Sequence, residues 1–148
     1  MKNIILITCA FLGFTMFAQA QDISKNAIGL RLGDANGFGA SISYQRAIME
    51  TNRIEANFGW SDGNDDDGIK LIGLYEWVWN LDGNFNWYAG PGAGFASYAS
   101  AIVTGVAGIE YHFDFPLLIS LDVRPEFGFD DDEDNLKFDV GLSARYQF

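Results

Sequence analysis

Apolar and polar residues alternate at every second position over long stretches of this 148-residue chain. The stretch 136–148 shows the pattern most fully. One set of its positions is apolar: Leu136, Phe138, Val140, Leu142, Ala144, Tyr146 and Phe148. The other set is polar or small: Lys137, Asp139, Gly141, Ser143, Arg145 and Gln147. Because successive side chains of a β-strand point to opposite faces, this period of two predicts a strand with one apolar and one polar face.

Clusters of turn-forming residues divide the rest of the chain into segments of the same kind. The predicted strands cover residues 26–33, 38–48, 53–61, 69–80, 85–98, 102–113, 117–129 and 136–148. Short connections of this type join strands that run in opposite directions. The sequence therefore predicts an all-β fold, an eight-stranded antiparallel up-and-down β-barrel.

The apolar faces of these strands can point into the barrel or away from it. A soluble, lipocalin-like barrel turns them inward, whereas a transmembrane barrel turns them toward lipid and keeps the polar faces in the lumen. The chain is 16% aromatic, and whole columns of Phe, Tyr and Trp exceed what the interior of a small barrel holds. Aromatic residues also gather near strand ends, as an interfacial girdle would: Tyr75, Trp77, Trp79, Phe85, Trp87, Tyr111 and Phe113. Segment lengths match the roughly 9–11 residues that cross a bilayer when tilted. We therefore predict a transmembrane barrel.

The N-terminus has the pattern of a secretory signal peptide. Lys2 precedes a short apolar run, and the run ends in Ala18-Gln19-Ala20, a small-residue cleavage site. Cys9 raises the alternative of a lipoprotein signal, but it comes too early, with most of the apolar run still to follow. We predict a signal peptide over 1–20 and one barrel domain over 21–148, which then contains no cysteine and no disulfide.

The chain carries a net charge of −11, which argues against nucleic acid as a partner, because nucleic-acid binding requires basic patches. Its most acidic stretches, 62–68 and 130–135, are predicted to be loops on the outer side. Carboxylates suit Ca²⁺ or Mg²⁺, and such a site could bridge to lipopolysaccharide phosphates. The first stretch departs from the EF-hand pattern, however, and solvated loops that resist aggregation are the preferred interpretation. No metal site and no cofactor are predicted.

Three segments carry a resemblance to a known family: YAGPGAGF (88–95), VAGIEYHF (106–113) and the final YQF (146–148). With these segments, the whole of 21–148 resembles the small eight-stranded outer-membrane barrels of the OmpA/OmpX type. It is particularly similar to the short outer-membrane β-barrel proteins common in Bacteroidetes-like bacteria. The resemblance does not identify a function, because such barrels include enzymes, adhesins and inert anchors.

The resemblance implies a location and a set of partners. The protein would lie in the outer membrane of a Gram-negative cell, as a monomer among outer-membrane lipids and lipopolysaccharide. Tyr146 and Phe148 would form the signal that the barrel assembly machinery reads on the terminal strand.

Twelve charged or titratable residues have lumen parity in the predicted strands. They are Arg31, Glu55, Lys70, Glu76, Glu110, His112, Asp122, Arg124, Glu126, Lys137, Asp139 and Arg145. Buried charges need partners, so we expect these residues to form a salt-bridged network that plugs the lumen. An eight-stranded barrel has room for side chains and little more, which argues against a permanent pore. A small-ion conductance remains an alternative.

The predicted fifth strand has a nearly empty inward face, with Gly90, Gly92 and Gly94 in alternation. Together with inward apolar residues on the neighbouring strands, these glycines could line a pocket for an acyl chain or another hydrophobic ligand. The apolar residues concerned are Ile72, Leu74, Ile102 and Val106. The preferred interpretation is that glycine relieves crowding opposite large lumen residues or lets the sheet bend.

The single histidine, His112, raises the question of catalysis, because some eight-stranded outer-membrane barrels modify lipid A with a histidine and a serine. No serine adjoins His112 in the sequence, and its position near the periplasmic end is far from the outer leaflet. We expect His112 to be a structural partner in the lumen and predict no catalytic residue. The expected role is a non-enzymatic structural or surface-interaction protein of the envelope. The alternatives are a hydrophobic-ligand barrel and a lipid A-modifying enzyme.

Overall fold

The computed structural model describes residues 23–33, 39–62, 67–97, 99–129 and 135–148, and these form eight strands. The strands are β1 (Asn26–Gly33), β2 (Ala40–Ala47), β3 (Asn52–Asp62), β4 (Asp67–Asp82), β5 (Phe85–Ala96), β6 (Ala99–His112), β7 (Leu117–Phe129) and β8 (Asn135–Gln147). Among the described residues no helix is long and apolar enough to span a membrane. The predicted signal peptide lies outside the described residues and stays a prediction.

Each strand pairs antiparallel with the next one, and β8 pairs with β1 to close the barrel. Leu30 of β1, for example, lies opposite Ile42 on one side and Ala144 on the other. The last residue takes part in this closure. The backbone N–H of Phe148 donates to the carbonyl of Asn26 at 2.9 Å, and the N–H of Asn26 donates back at 3.0 Å. The predicted eight-stranded antiparallel up-and-down barrel is confirmed.

The predicted strand boundaries lie within three residues of those observed. The largest difference is at β6, which begins at Ala99 rather than at 102. The fourth strand is also longer than predicted at both ends, because polar residues continue the backbone ladder after the apolar alternation has stopped. Asp67, for example, pairs with Asp62. Alternation marks the part of a strand that meets an apolar medium, whereas the hydrogen-bonded ladder extends beyond it.

The barrel has two ends, which differ in the connections they carry. At the terminal end β1 begins and β8 ends, and short turns join β2 to β3, β4 to β5 and β6 to β7. One of these turns contains Gly83 with a φ of +54°, a conformation that favours glycine. The opposite end, here called the loop end, carries the connections that include 34–38, 63–66 and 130–134, which the structure does not describe.

The faces of the strands are inverted relative to a soluble protein. Outward apolar side chains lie on the surface, where Phe138 is 68% exposed and Leu30 is 53% exposed. Inward charged side chains are buried, and Glu55 is only 2% exposed and Arg145 only 1% exposed. A folded protein in water does the opposite, since burying charge and exposing large apolar surface both cost free energy. The distribution fits an apolar medium around the barrel.

Prolines interrupt the ladder without changing its register. The pairing of β4 with β5 skips the residues around Pro91 and resumes with the same offset, and the pairing of β6 with β7 does so around Pro125. Proline has no backbone N–H to donate, which accounts for both gaps.

Gly90 has no room for a side chain against the backbone of β4. A Cβ placed on Gly90 would overlap the carbonyl oxygen of Tyr75. This oxygen is a backbone atom, which cannot move aside as the far end of a flexible side chain can. The close approach therefore requires glycine at this position.

We predict that Gly90→Ala destabilises the barrel by about 1–3 kcal/mol, the usual cost of overpacking. Gly73→Ala is the matched control, because a Cβ at Gly73 would meet only the carbonyl oxygen of Ala93, at 3.8 Å. The measurement is urea unfolding of the refolded protein in lipid vesicles. Equal stability of the two variants would contradict the requirement for glycine at position 90.

Candidate functional site

The lumen is the candidate site, because the inward side chains of all eight strands converge there. Its lining is asymmetric. Charged and hydrogen-bonding residues come mainly from β1–β3, β7 and β8, while an apolar cluster lies on β4–β6. Since the barrel is narrow, residues far apart in sequence meet across it.

Two cation clusters occupy the loop half of the lumen. Arg31 of β1 places one guanidinium nitrogen 2.6 Å from Asp122 and the other 2.6 Å from Asp139. Lys70 of β4 reaches across to β7, where its ammonium donates to both carboxylate oxygens of Glu126, at 2.7 and 2.5 Å. Each of these buried cations therefore has an anionic partner, as buried charges require.

Glu55 is the centre of the middle layer. Its Oε1 accepts from Arg124 at 2.7 Å and from Arg145 at 3.1 Å. The same oxygen accepts from Asn57 at 2.8 Å, and Oε2 accepts from Gln45 at 2.6 Å. One carboxylate thus joins β2, β3, β7 and β8, and neither of its oxygens lacks a partner.

The layer at the terminal end is built around Arg53. Its Nε lies 2.6 Å from Glu76, and its NH2 lies 2.8 Å from Glu110 on the far side of the lumen. The guanidinium also lies over the ring of Tyr88, 4.8 Å from the centroid, a cation–π arrangement. His112 completes the layer with its Nε2 at 3.0 Å from Glu110.

Most of the predicted charged residues lie where lumen parity placed them. The buried ones are Arg31, Glu55, Lys70, Glu76, Glu110, Asp122, Arg124, Glu126, Asp139 and Arg145. His112 is partly buried. Lys137 differs from the prediction, because it is exposed. It lies two residues into β8, at the loop end.

Arg53 was missing from the predicted set, although it is only 3% exposed. Its parity with Glu55 was the available signal. The prediction placed Arg53 at the very start of its strand, next to the turn, and strand ends give the weakest evidence about facing. The buried neutral residues Ser43, Asn86 and Ser120 were also outside the predicted network, because that network was limited to charged and titratable residues.

The buried network is close to charge balance. Among the described residues it contains the cations Arg31, Arg53, Lys70, Arg124 and Arg145. The buried carboxylates are Glu55, Glu76, Glu110, Asp122, Glu126 and Asp139. There is one carboxylate more than there are cations, and His112 is in contact with one of them, Glu110.

The predicted apolar pocket residues do meet, but they pack against one another. Ile72, Leu74, Ile102 and Val106 belong to one buried cluster with Val78, Tyr88 and Ala96. A Cβ on Gly92 would overlap Leu74, and one on Gly94 would lie 2.8 Å from Ile72. Large neighbours thus occupy the space above the glycines. This geometry agrees with glycine relieving crowding, the interpretation preferred from the sequence.

The acidic loops lie largely outside the described residues, which leave out 63–66 and 130–134. In the part of the chain that the structure does describe, no group of three or more His, Cys, Asp or Glu residues is arranged to hold a metal ion.

Aromatic side chains form a belt around the terminal end of the barrel. Trp79 and Trp87 stack with ring centroids 4.3 Å apart. Phe85 and Tyr111 pack edge to face at 4.7 Å. On the last strand Tyr146 stacks with Phe148 at 6.1 Å, and both are more than half exposed on the outer surface. Aromatic rings of this kind favour the interface between hydrocarbon and water.

The solved structures with a similar fold include transmembrane β-barrels. One designed protein, from work described as "De novo design of transmembrane beta-barrels", has a TM-score of 0.64 and 15% identity, covering 88% of this chain and all of that one. The fold is that of an eight-stranded transmembrane β-barrel. The outer membrane protein Ail of Yersinia pestis gives a TM-score of 0.51 and 14% identity, covering 85% of this chain and all of Ail. No family model and no curated protein matches the sequence.

We predict that Arg53→Met destabilises this barrel by about 3–5 kcal/mol, because Glu76 and Glu110 would lose the cation between them while staying buried. The measurement is again urea unfolding in lipid vesicles. Adding Glu76→Gln and Glu110→Gln to the variant should restore part of the stability, since amides in place of carboxylates leave no uncompensated charge.

Arg46→Met is the control for the change of side chain, because Arg46 is exposed on β2. Surface substitutions of this kind usually change stability by no more than about 0.5 kcal/mol. If Arg53→Met and Arg46→Met were equally mild, Arg53 would not be essential to the terminal layer.

Proposed function

We propose that this protein is an integral outer-membrane β-barrel with a closed polar lumen and a non-enzymatic role, structural or in surface interactions. The observation that carries the proposal is the inversion of its faces. Paired charges fill the interior, while large apolar and aromatic side chains cover the exterior. An apolar exterior on this scale requires lipid, because in water it would drive aggregation.

The outer membrane is the membrane best suited to such a chain. A closed β-barrel has no unpaired strand edges, so it can lie in hydrocarbon, and outer-membrane proteins span their membrane as barrels of this kind. The predicted signal peptide over 1–20 would provide export. One of the structures of similar fold is itself an outer membrane protein. The proposed surroundings are outer-membrane lipids and lipopolysaccharide, with the chain as a monomer.

The closed lumen is supported by ion pairs that cross it at three levels. They are Lys70–Glu126 in the loop half, Arg124–Glu55 in the middle and Arg53–Glu110 at the terminal end. The apolar cluster fills the space beside them, and Ile23, just before β1, packs against that cluster. An ion passing through would have to separate buried pairs, which is costly in a region of low dielectric constant.

The surroundings of His112 support a structural rather than a catalytic role. Its Nε2 lies 3.0 Å from Asn86 and from Glu110, and its Nδ1 lies 3.1 Å from Gln147. None of these partners carries a hydroxyl that could act as a nucleophile with histidine. A lipid A-modifying activity would require such a group, and the packed apolar cluster likewise gives the ligand-binding alternative no support.

The first test is the location of the mature barrel. We expect the protein, expressed with its predicted signal peptide in a Gram-negative host, to fractionate with the outer membrane. It should migrate faster on a gel before boiling than after, because the closed barrel stays folded in detergent. Recovery as a soluble periplasmic protein would contradict the proposal.

The closed lumen is tested separately, by recording from the purified barrel in planar lipid bilayers. No steady current is expected from the wild-type protein. Steady single-channel conductance would refute the closed lumen while leaving the membrane location intact.

A further prediction concerns the proposed assembly signal, Tyr146 and Phe148. We expect Phe148→Ala to lower the amount of assembled barrel in cells, because the assembly machinery would read the terminal aromatic. The same variant should refold into lipid vesicles almost as well as wild type, since the backbone pairing of Phe148 with Asn26 does not need the ring.

Phe138→Ala is the matched control, because Phe138 points outward from the same strand and is 68% exposed, against 60% for Phe148. It should assemble at nearly the wild-type level. If both variants assembled equally in cells, recognition of the terminal aromatic would be refuted.

A further inference from the structure

Four buried side-chain atoms among the described residues have no hydrogen-bond partner, and three of them belong to residues around one cavity. The three are Asn57 Oδ1, Arg124 Nε and Asp139 Oδ1; the fourth belongs to Glu76 at the other end of the lumen. Each of the three residues is at most 4% exposed. Leaving such atoms unpaired costs free energy, so native proteins nearly always supply a partner, often an ordered water.

The contacts of the three residues hold them close together. The side-chain amide of Asn57 and the guanidinium of Arg124 both donate to Glu55 Oε1, at 2.8 and 2.7 Å. Arg124 of β7 lies directly opposite Asp139 of β8 in the ladder. The other oxygen of Asp139 accepts from Arg31 at 2.6 Å. Three strands thus bring the unpaired atoms to one level of the loop half.

The cavity that these residues line has a volume of about 20 Å³, and Lys70 and Glu126 also contribute to its wall. A cavity of about 10–15 Å³ is sufficient to hold one water molecule, provided that polar partners surround it. The cavity is therefore large enough for one water and too small for an organic ligand.

The unpaired atoms match water better than an ion. They comprise two acceptors, on Asn57 and Asp139, and one donor, the Nε–H of Arg124. A cation would lie beside the positive charges of Arg31, Lys70 and Arg124, which line the same cavity. An anion would face two oxygens and find only one unpaired donor. Water has two hydrogens to donate and a lone pair to accept with, so it satisfies all three atoms.

We propose that the loop half of the lumen binds one structural water molecule, which donates to Asn57 Oδ1 and Asp139 Oδ1 and accepts from Arg124 Nε. Arg124 Nε already lies 3.2 Å from Asp122 without forming a hydrogen bond. The water therefore accepts the hydrogen bond that Arg124 Nε otherwise lacks, and it links β3, β7 and β8. The site rests on the lumen being closed at this level, and the bilayer recordings test that closure independently.

The primary test is a crystal structure of the refolded barrel at a resolution that shows ordered waters. The expected result is a single density peak within hydrogen-bonding distance, about 2.7–3.2 Å, of the three atoms. A bromide soak distinguishes the ligand, because bound halide gives an anomalous peak and water gives none. A bromide peak at the site would overturn the proposal, as would an empty cavity or direct pairing of the three atoms with one another.

The second test uses two variants and the NMR signal of the Arg124 Nε–H. In wild type this proton should show a cross peak with water. Asn57→Leu should abolish the peak, because the leucine removes an acceptor and fills the cavity. The control is Thr104→Val, which should retain the peak, because the buried Thr104 hydroxyl donates only to the backbone carbonyls of Gly105 and Pro125 and is not part of the cavity wall. An undiminished peak in Asn57→Leu, or its loss in both variants, would overturn the assignment of the water to Asn57.

Discussion

The structure depends on the narrowness of an eight-stranded barrel. In so small a lumen the side chains of facing strands touch and leave no room for bulk water, so each buried charge must find a partner across the ring. Glu55 illustrates the result, since one carboxylate collects Arg124, Arg145, Asn57 and Gln45 from three other positions around the barrel and from its own strand. This pairing is what supports the proposal of a closed lumen.

The lumen has two walls that are filled by different kinds of side chain. On one side charged groups pair in layers, and on the other the largely apolar cluster around Leu74 and Tyr88 fills the space. Gly92 and Gly108 make room for these two large side chains. Tyr88 joins the walls, because its ring lies under Arg53 and its hydroxyl donates to Asp122 at 3.2 Å. Tyr88 thus contacts both the charged wall and the apolar wall of the lumen.

Strand parity predicted much of the site, and its errors have a common cause. Parity assigned Glu55, Asp122 and most other charged residues to the lumen. The predicted network was wrong at strand ends, because it omitted Arg53, which has lumen parity and is buried, and included Lys137, which is exposed. Parity gives the face of a residue but not its depth along the barrel. Lys137 has lumen parity but lies at the loop end and is exposed. Arg53 lies next to a turn and is nevertheless buried.

The sequence alone determined the strands and which of their faces is polar, because the period of two is a local property of an extended chain. It also indicated the membrane, through the excess of aromatic residues on the apolar faces. Only the tertiary structure decided the partners. Arg31 meets Asp122 and Lys70 meets Glu126 because closure and register bring distant strands together. The same closure decided that Gly90 lies against a backbone carbonyl and that three polar atoms share one small cavity.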